Sequence, residues 1–170
     1  MQAQPTITES PPLVKIVKAE SWHVSMMKRH LRMEDEREMM GWGISANKGL
    51  WCSYKESLIR RTAMIDGEPA AMWGVRSTLL GNVGDIWLQT TPAVRWVSPL
   101  KFARVYQDQV YKMLNVFKRL ENWVDNDYDG AVRLLDISGF SLGEPEPVGV
   151  NGHLYRKFWI ERAKGWPHRS

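Results

Sequence analysis

Residues 85–102 read "DIWLQTTPAVRWVSPLKF", and they decide the fold. The first part alternates strand formers, and the last part opens a helix, with Ser98 as an N-cap and Pro99 at the first helical position. Downstream, Phe102, Val105, Tyr106, Val110, Met113, Leu114, Phe117 and Leu120 recur at three-four spacing, the signature of one amphipathic helix about five turns long. "ENWVDN" (121–126) then returns as a strand. A strand, a helix and a strand in succession predict a right-handed crossover and a locally parallel pair.

Working outward, "LVKIVKA" (13–19) alternates as a strand, and Ser21 is placed to cap a helix opening "WHVSMMKRHL". "MEDEREMMGWG" predicts a second short helix, with acids at its positive end and Gly41 and Gly43 to stop it. "GLWCSYKESLI" (49–59) fits either a further helical turn or an irregular segment. Residues 60–78 predict a hairpin about Asp66-Gly67, and "LLGNVG" supplies a second turn into the strand of the opening stretch. "GAVRLLDIS" (130–138) is a short helix ended at Gly139, and Asn151-Gly152 is placed as the turn of a closing hairpin. The expected class is α/β, a mixed sheet with helices on its faces.

The chain has 170 residues, 44% hydrophobic and 25% charged, which suits one globular domain with a substantial core. That domain is expected over residues 13–162, between a polar, Pro-rich arm (1–12) and a polar tail (163–170). Cys52 is alone, so an internal disulfide and a cysteine-built zinc site are excluded. The formal charge of +4 is spread among acids, as in "KRHLRMEDEREMM", which argues against nucleic acid as a partner. His23, His30, His153 and His168 lack metal-ligand spacing, and no nucleophile elbow or phosphate-binding Gly-Lys-Thr/Ser loop is present. Nine Trp and nine Met are assigned mainly to the core.

The element order resembles the GNAT acyltransferase fold over nearly all of residues 13–162. "TTPAVRWVSPL" is similar to the GNAT cofactor segment at Pro92 and Arg95, and "AVRLLDISGF" matches a second GNAT pattern at Ala131, Leu134, Gly139 and Phe140. More narrowly, "SWH", "EDEREM" and "WLQTTP" resemble a family of small GNAT-like proteins of short-tailed bacteriophages, described as internal-virion or virion-assembly proteins. That resemblance implies an acyl-CoA cofactor such as acetyl-CoA, phage or host proteins as partners, no membrane, and a place in the host bacterial cytoplasm or the virion. It implies cofactor contacts at Gln89, Thr90, Thr91, Arg95, Ser98 and Lys101, and candidate acid or base groups at Tyr128, Asp85, Glu121 and Asp125.

Two departures weaken the implied chemistry. The GNAT loop carries glycines so that backbone N–H groups reach a diphosphate at a helix mouth. Here Ser98 and Leu100 stand at those positions, and Pro99 between them has no N–H. Losing one or two such bonds, about 1.5–3 kcal/mol each, weakens binding roughly tenfold to several-thousandfold. The family's thiolate-protonating Tyr falls on Leu135, and Asp136 sits about 100° further around the helix. The expected function is therefore a virion-assembly or protein-interaction module with weak or absent acyl transfer. The alternative is an active N-acetyltransferase with an unusual cofactor loop.

Overall fold

The computed structural model describes residues 11–164, so the arm and tail expected at 1–12 and 163–170 lie almost wholly outside the described residues. The chain runs β1 (Val14–Lys18), α1 (Ser21–Met27), α2 (Met33–Gly41), α3 (Ala46–Glu56), β2 (Ile59–Ile65), β3 (Glu68–Ser77) and β4 (Val83–Thr90). A 3₁₀ turn (Pro92–Trp96) leads into α4 (Pro99–Leu114), followed by β5 (Arg119–Asp125), α5 (Asp129–Ile137), β6 (Ser141–Glu146) and β7 (Tyr155–Glu161). The seven strands form one mixed sheet ordered β1-β2-β3-β4-β5-β7-β6.

Local chemistry accounts for most boundaries. Asp66 and Gly67 both take positive φ, as a tight turn between twisted strands demands, and the β2–β3 hairpin forms about them. Ser98 caps α4 by accepting from the Lys101 amide, and Gly139 ends α5 at φ +90. Two expectations are corrected and one left open is resolved. Glu20, not Ser21, is the N-cap of α1, because the buried His23 ring accepts the Glu20 amide and completes a reciprocal cap. The open segment around 49–59 is a full helix, α3, begun by a Ser45 cap ahead of the stretch considered. Asn151-Gly152 lies within a short 3₁₀ turn in the longer link between β6 and β7, rather than forming a two-residue hairpin turn.

The long apolar stripe also ends early. α4 stops at Leu114; Phe117 and Leu120, which continue the spacing, lie in the connection and in β5. Both are still buried in the larger core with Tyr106, Val110, Met113, Trp73 and Ile86, which binds α4 and α5 to one face of the sheet. On the opposite face α1 and α3 pack over Met72 and Trp87, enclosing Val24, Met27 and Leu50. No described helix is long and apolar enough to cross a membrane.

Candidate functional site where β4 and β5 part

β4 and β5 are parallel, but they pair only over Val83–Arg119, Gly84–Leu120 and Asp85–Glu121. Beyond that the strands separate, and Asn122 reaches across the opening to donate to the Ile86 carbonyl at 2.8 Å. The Thr91 amide still pairs with β3 through Ala70, so strand alternation turns the Thr90 backbone the other way, into the gap. The start of α2 meets it there. The Arg32 amide donates to the Thr90 carbonyl at 3.2 Å, and Asp35 accepts from both the Thr90 amide (3.1 Å) and its hydroxyl (2.8 Å). α2 is thereby stitched to the free edge of β4.

Asp35 is one of three acids gathered under α2. Asp125, at the end of β5, is fully buried; it is paired with Arg37 at 3.0 Å and approached by His153 at 3.2 Å. Glu38 accepts from the Asp125 amide at 2.9 Å, and its own carbonyl accepts from the Tyr155 hydroxyl. α2 gets this close to β7 because Gly41 has no Cβ, which would collide with the Tyr155 hydroxyl. Trp42 then stacks on Tyr155, with ring centres 4.2 Å apart.

Burial pushes the Asp35 carboxyl up to about 6, although bonds from Thr90 and the Arg32 charge pull against it. Glu38 as a whole is only partly buried, yet its carboxyl group is enclosed, and burial lifts it to about 8 with the Asp35 and Asp125 charges adding to the rise. Burial, then the neighbouring Asp35, also raise the Tyr128 phenol above its ordinary range. Its ring lies under the Arg32 guanidinium, 5.8 Å away, and its hydroxyl faces Asp35 and Thr90. Two carboxyls raised toward neutrality and a buried phenol thus meet at one strand end. Among the described residues no cluster of His, Cys, Asp or Glu is arranged to hold a metal ion.

The fold thus brings Thr90 and Tyr128 together. Arg95 is exposed on the 3₁₀ turn but close enough for its charge, with a backbone bond and Arg32, to help hold Glu34 below the usual carboxylate range. Gln89 and Thr91 are buried beside Thr90; Thr91 is spent capping the 3₁₀ turn. Ser98 and Lys101 stand apart, exposed at the mouth of α4. Asp85 and Glu121 sit at the closed end of the strand pair, within a surface network. Arg76 lies 3.7 Å from Asp85, Arg119 2.6 Å from Glu121 and Lys157 3.1 Å from Glu121. Burial lifts Asp85, with Arg76 partly offsetting it; in Glu121 the bonds from Arg119 and Lys157 outweigh burial and lower it. Leu135 is in the core, 5% exposed, where it can move no proton.

Sequence reasoning missed Asp35, Glu38, Arg32, Arg37, Tyr155 and His153. The acids of α2 read as partners of its dipole, which they also are. The available signal was the run Glu34-Asp35-Glu36, which at about 100° per residue cannot all face water on a helix packed against a sheet.

The α4 mouth offers an acyl-CoA only part of the donor set that the resemblance implies. At the α4 mouth Pro99 has no N–H, the Lys101 amide is taken by the Ser98 hydroxyl at 3.3 Å, and the Phe102 amide by the Ser98 carbonyl at 3.0 Å. The Ser98 and Leu100 amides have no protein partner among the described residues, and Leu100 is 55% exposed. At the β4 edge both backbone groups of Thr90 are held by α2.

No protein-family model matches the chain, and no curated protein sequence does. Solved structures do match in shape. An acetyltransferase of the GNAT family from Streptococcus pneumoniae aligns with TM-score 0.60 at 12% identity, covering 88% of this chain and 99% of the other. The aminoglycoside acetyltransferase AAC(6')-Ib in complex with ribostamycin and coenzyme A aligns with TM-score 0.66 at 16% identity, covering 92% of this chain and 98% of the other. The fold is that of the GNAT acetyltransferases. Identities this low establish the fold alone.

Proposed function

We propose that this GNAT-fold protein works mainly by binding other proteins, as a virion-assembly component of a bacteriophage, with acyl transfer weak or absent. The observation that supports this reading is the capture of Thr90 by Arg32 and Asp35 at the strand edge where a GNAT enzyme seats its cofactor. The α4 mouth, with a proline and a capped amide in place of open glycines, adds to it. The phage setting, the place in the host cytoplasm or virion, and phage or host proteins as partners rest on the sequence resemblance. Isothermal titration with acetyl-CoA is expected to give no binding tighter than about millimolar. A micromolar Kd overturns the reading.

One observation favours a second reading, an acetyl-CoA-dependent N-acetyltransferase. Asp35, lifted to about 6, faces Tyr128 at the end of β4, and perturbed acids in such a place are a mark of catalysis. A thiol-release assay across mixed peptide amines, with Arg95→Ala as a control, separates the two. Cofactor-dependent turnover promotes the enzyme.

A further inference from the structure

A groove of about 740 Å³ runs between the β1–β2 edge of the sheet and α4, away from the parting of β4 and β5. It lies beside the contact that Phe102 of α4 makes with Val14 and Ile65 of the first two strands. Its apolar lining is Ile16, Ile59, Val105 and Met113. Its charged lining is Arg61, Arg104 and Lys112 against a single carboxylate, Asp108. Lys112 already holds Asp108 at 2.8 Å, one turn apart on α4. No carboxylate among the described residues pairs with Arg61 or Arg104; Arg61 donates instead to the Arg60 carbonyl. The groove therefore presents two guanidinium groups without a carboxylate partner beside an aliphatic surface.

We infer that this groove docks an acidic segment of a partner protein that carries apolar side chains along one face. The inference rests on the binding role proposed above and names the chemistry of the partner. Guanidinium groups favour carboxylates through paired, directional bonds, and an aliphatic lining takes Leu- or Ile-like anchors at helical spacing. A second copy of this chain is a poor occupant, because the chain carries a net +4. Single-stranded nucleic acid is also disfavoured: the lining holds no aromatic ring on which a base can stack.

The test uses the full chain and a fluorescein-labelled Leu/Glu peptide with leucines at helical spacing. Controls are a Leu/Lys peptide, oligo(dT) and the unlabelled protein alone in a sedimentation run. Saturable binding of the Leu/Glu peptide is expected, with methyl NMR shifts at Ile16, Ile59, Val105 and Met113. Arg61→Glu with Arg104→Glu should weaken it roughly tenfold or more, with Arg104→Gln intermediate. No binding of the Leu/Glu peptide, binding the charge reversals leave unchanged, preference for Leu/Lys or oligo(dT), or a dimer broken by Arg61→Glu would each overturn it. Titrating acetyl-CoA into the same samples keeps the two proposals apart. Absent peptide binding without cofactor binding sinks the groove alone, whereas micromolar cofactor binding sinks the functional reading.

Discussion

The two ends of the β4–β5 contact handle charge in opposite ways. At the closed end Asp85 and Glu121 lie side by side in register, and Arg76, Arg119 and Lys157 surround them where water also reaches. At the open end Asp35 and Asp125 are 2% and 0% exposed, and Arg37, the cation bonded to Asp125, is itself 48% exposed. Asp35 is held by hydrogen bonds from Thr90 with no ion pair among the described residues, and Asp125 adds a bond from the Asp127 amide to its Arg37 pair. Exposed pairs contribute little because solvent already screens them, whereas buried carboxylates are costly unless every oxygen is satisfied. Glu121 and Asp125, carboxylates toward the two ends of β5, thus differ in energetic consequence.

The largest test of that contrast removes Asp125. Asp125→Ala strands Arg37, the Asp127 amide and the near side of His153, and is expected to cost about 3 kcal/mol in urea unfolding. A cost no greater than that of the closed-end substitutions breaks the comparison.

Next comes pH. Asp35 rises from 3.8 to about 6 and Glu38 from 4.5 to about 8, so the folded state holds these protons more tightly than the unfolded chain. Their contribution is present below the unfolded values and is lost as pH climbs through about 6 and then about 8. Melting temperature should therefore fall between about pH 4 and 8, with about 3 kcal/mol lost from Asp35 as pH rises from 3.8 to about 6. In Asp35→Asn combined with Glu38→Gln the slope should flatten; an unchanged slope places the titrating groups elsewhere.

The smallest effect belongs to the closed end. Asp85→Asn and Glu121→Gln should each change stability by less than about 1 kcal/mol, and by less still in high salt. A larger, salt-insensitive loss would show that this network is not merely a solvated one.

Much of the scaffold was legible because single residues dictate it. Asp66-Gly67 demands a reversal, Ser98-Pro99 starts a helix, and Gly139 permits the left-handed turn that ends one. Legibility failed where distant parts decide. The spacing through Phe117 and Leu120 is helical, yet the chain leaves α4 at Leu114 and both residues reach the same core from a turn and a strand. The candidate site was legible on β4 and at Tyr128, but not on α2. Asp125 is legible as a strand-end acid, but its burial depends on α2 lying across it, which Gly41 allows through a contact with β7. No local pattern encodes that meeting.

The placing of β7 between β5 and β6 has a consequence for how the molecule is made. β6 has no neighbour in the sheet except β7, which is synthesised after it. While a ribosome is still translating residues 147–154, the β1–β4 meander can already close on itself, but β6 waits with both edges bare. Its Pro145, which lacks a donor, and the irregular register between Leu142 and Pro145 make it a poor template for a stray strand during that wait.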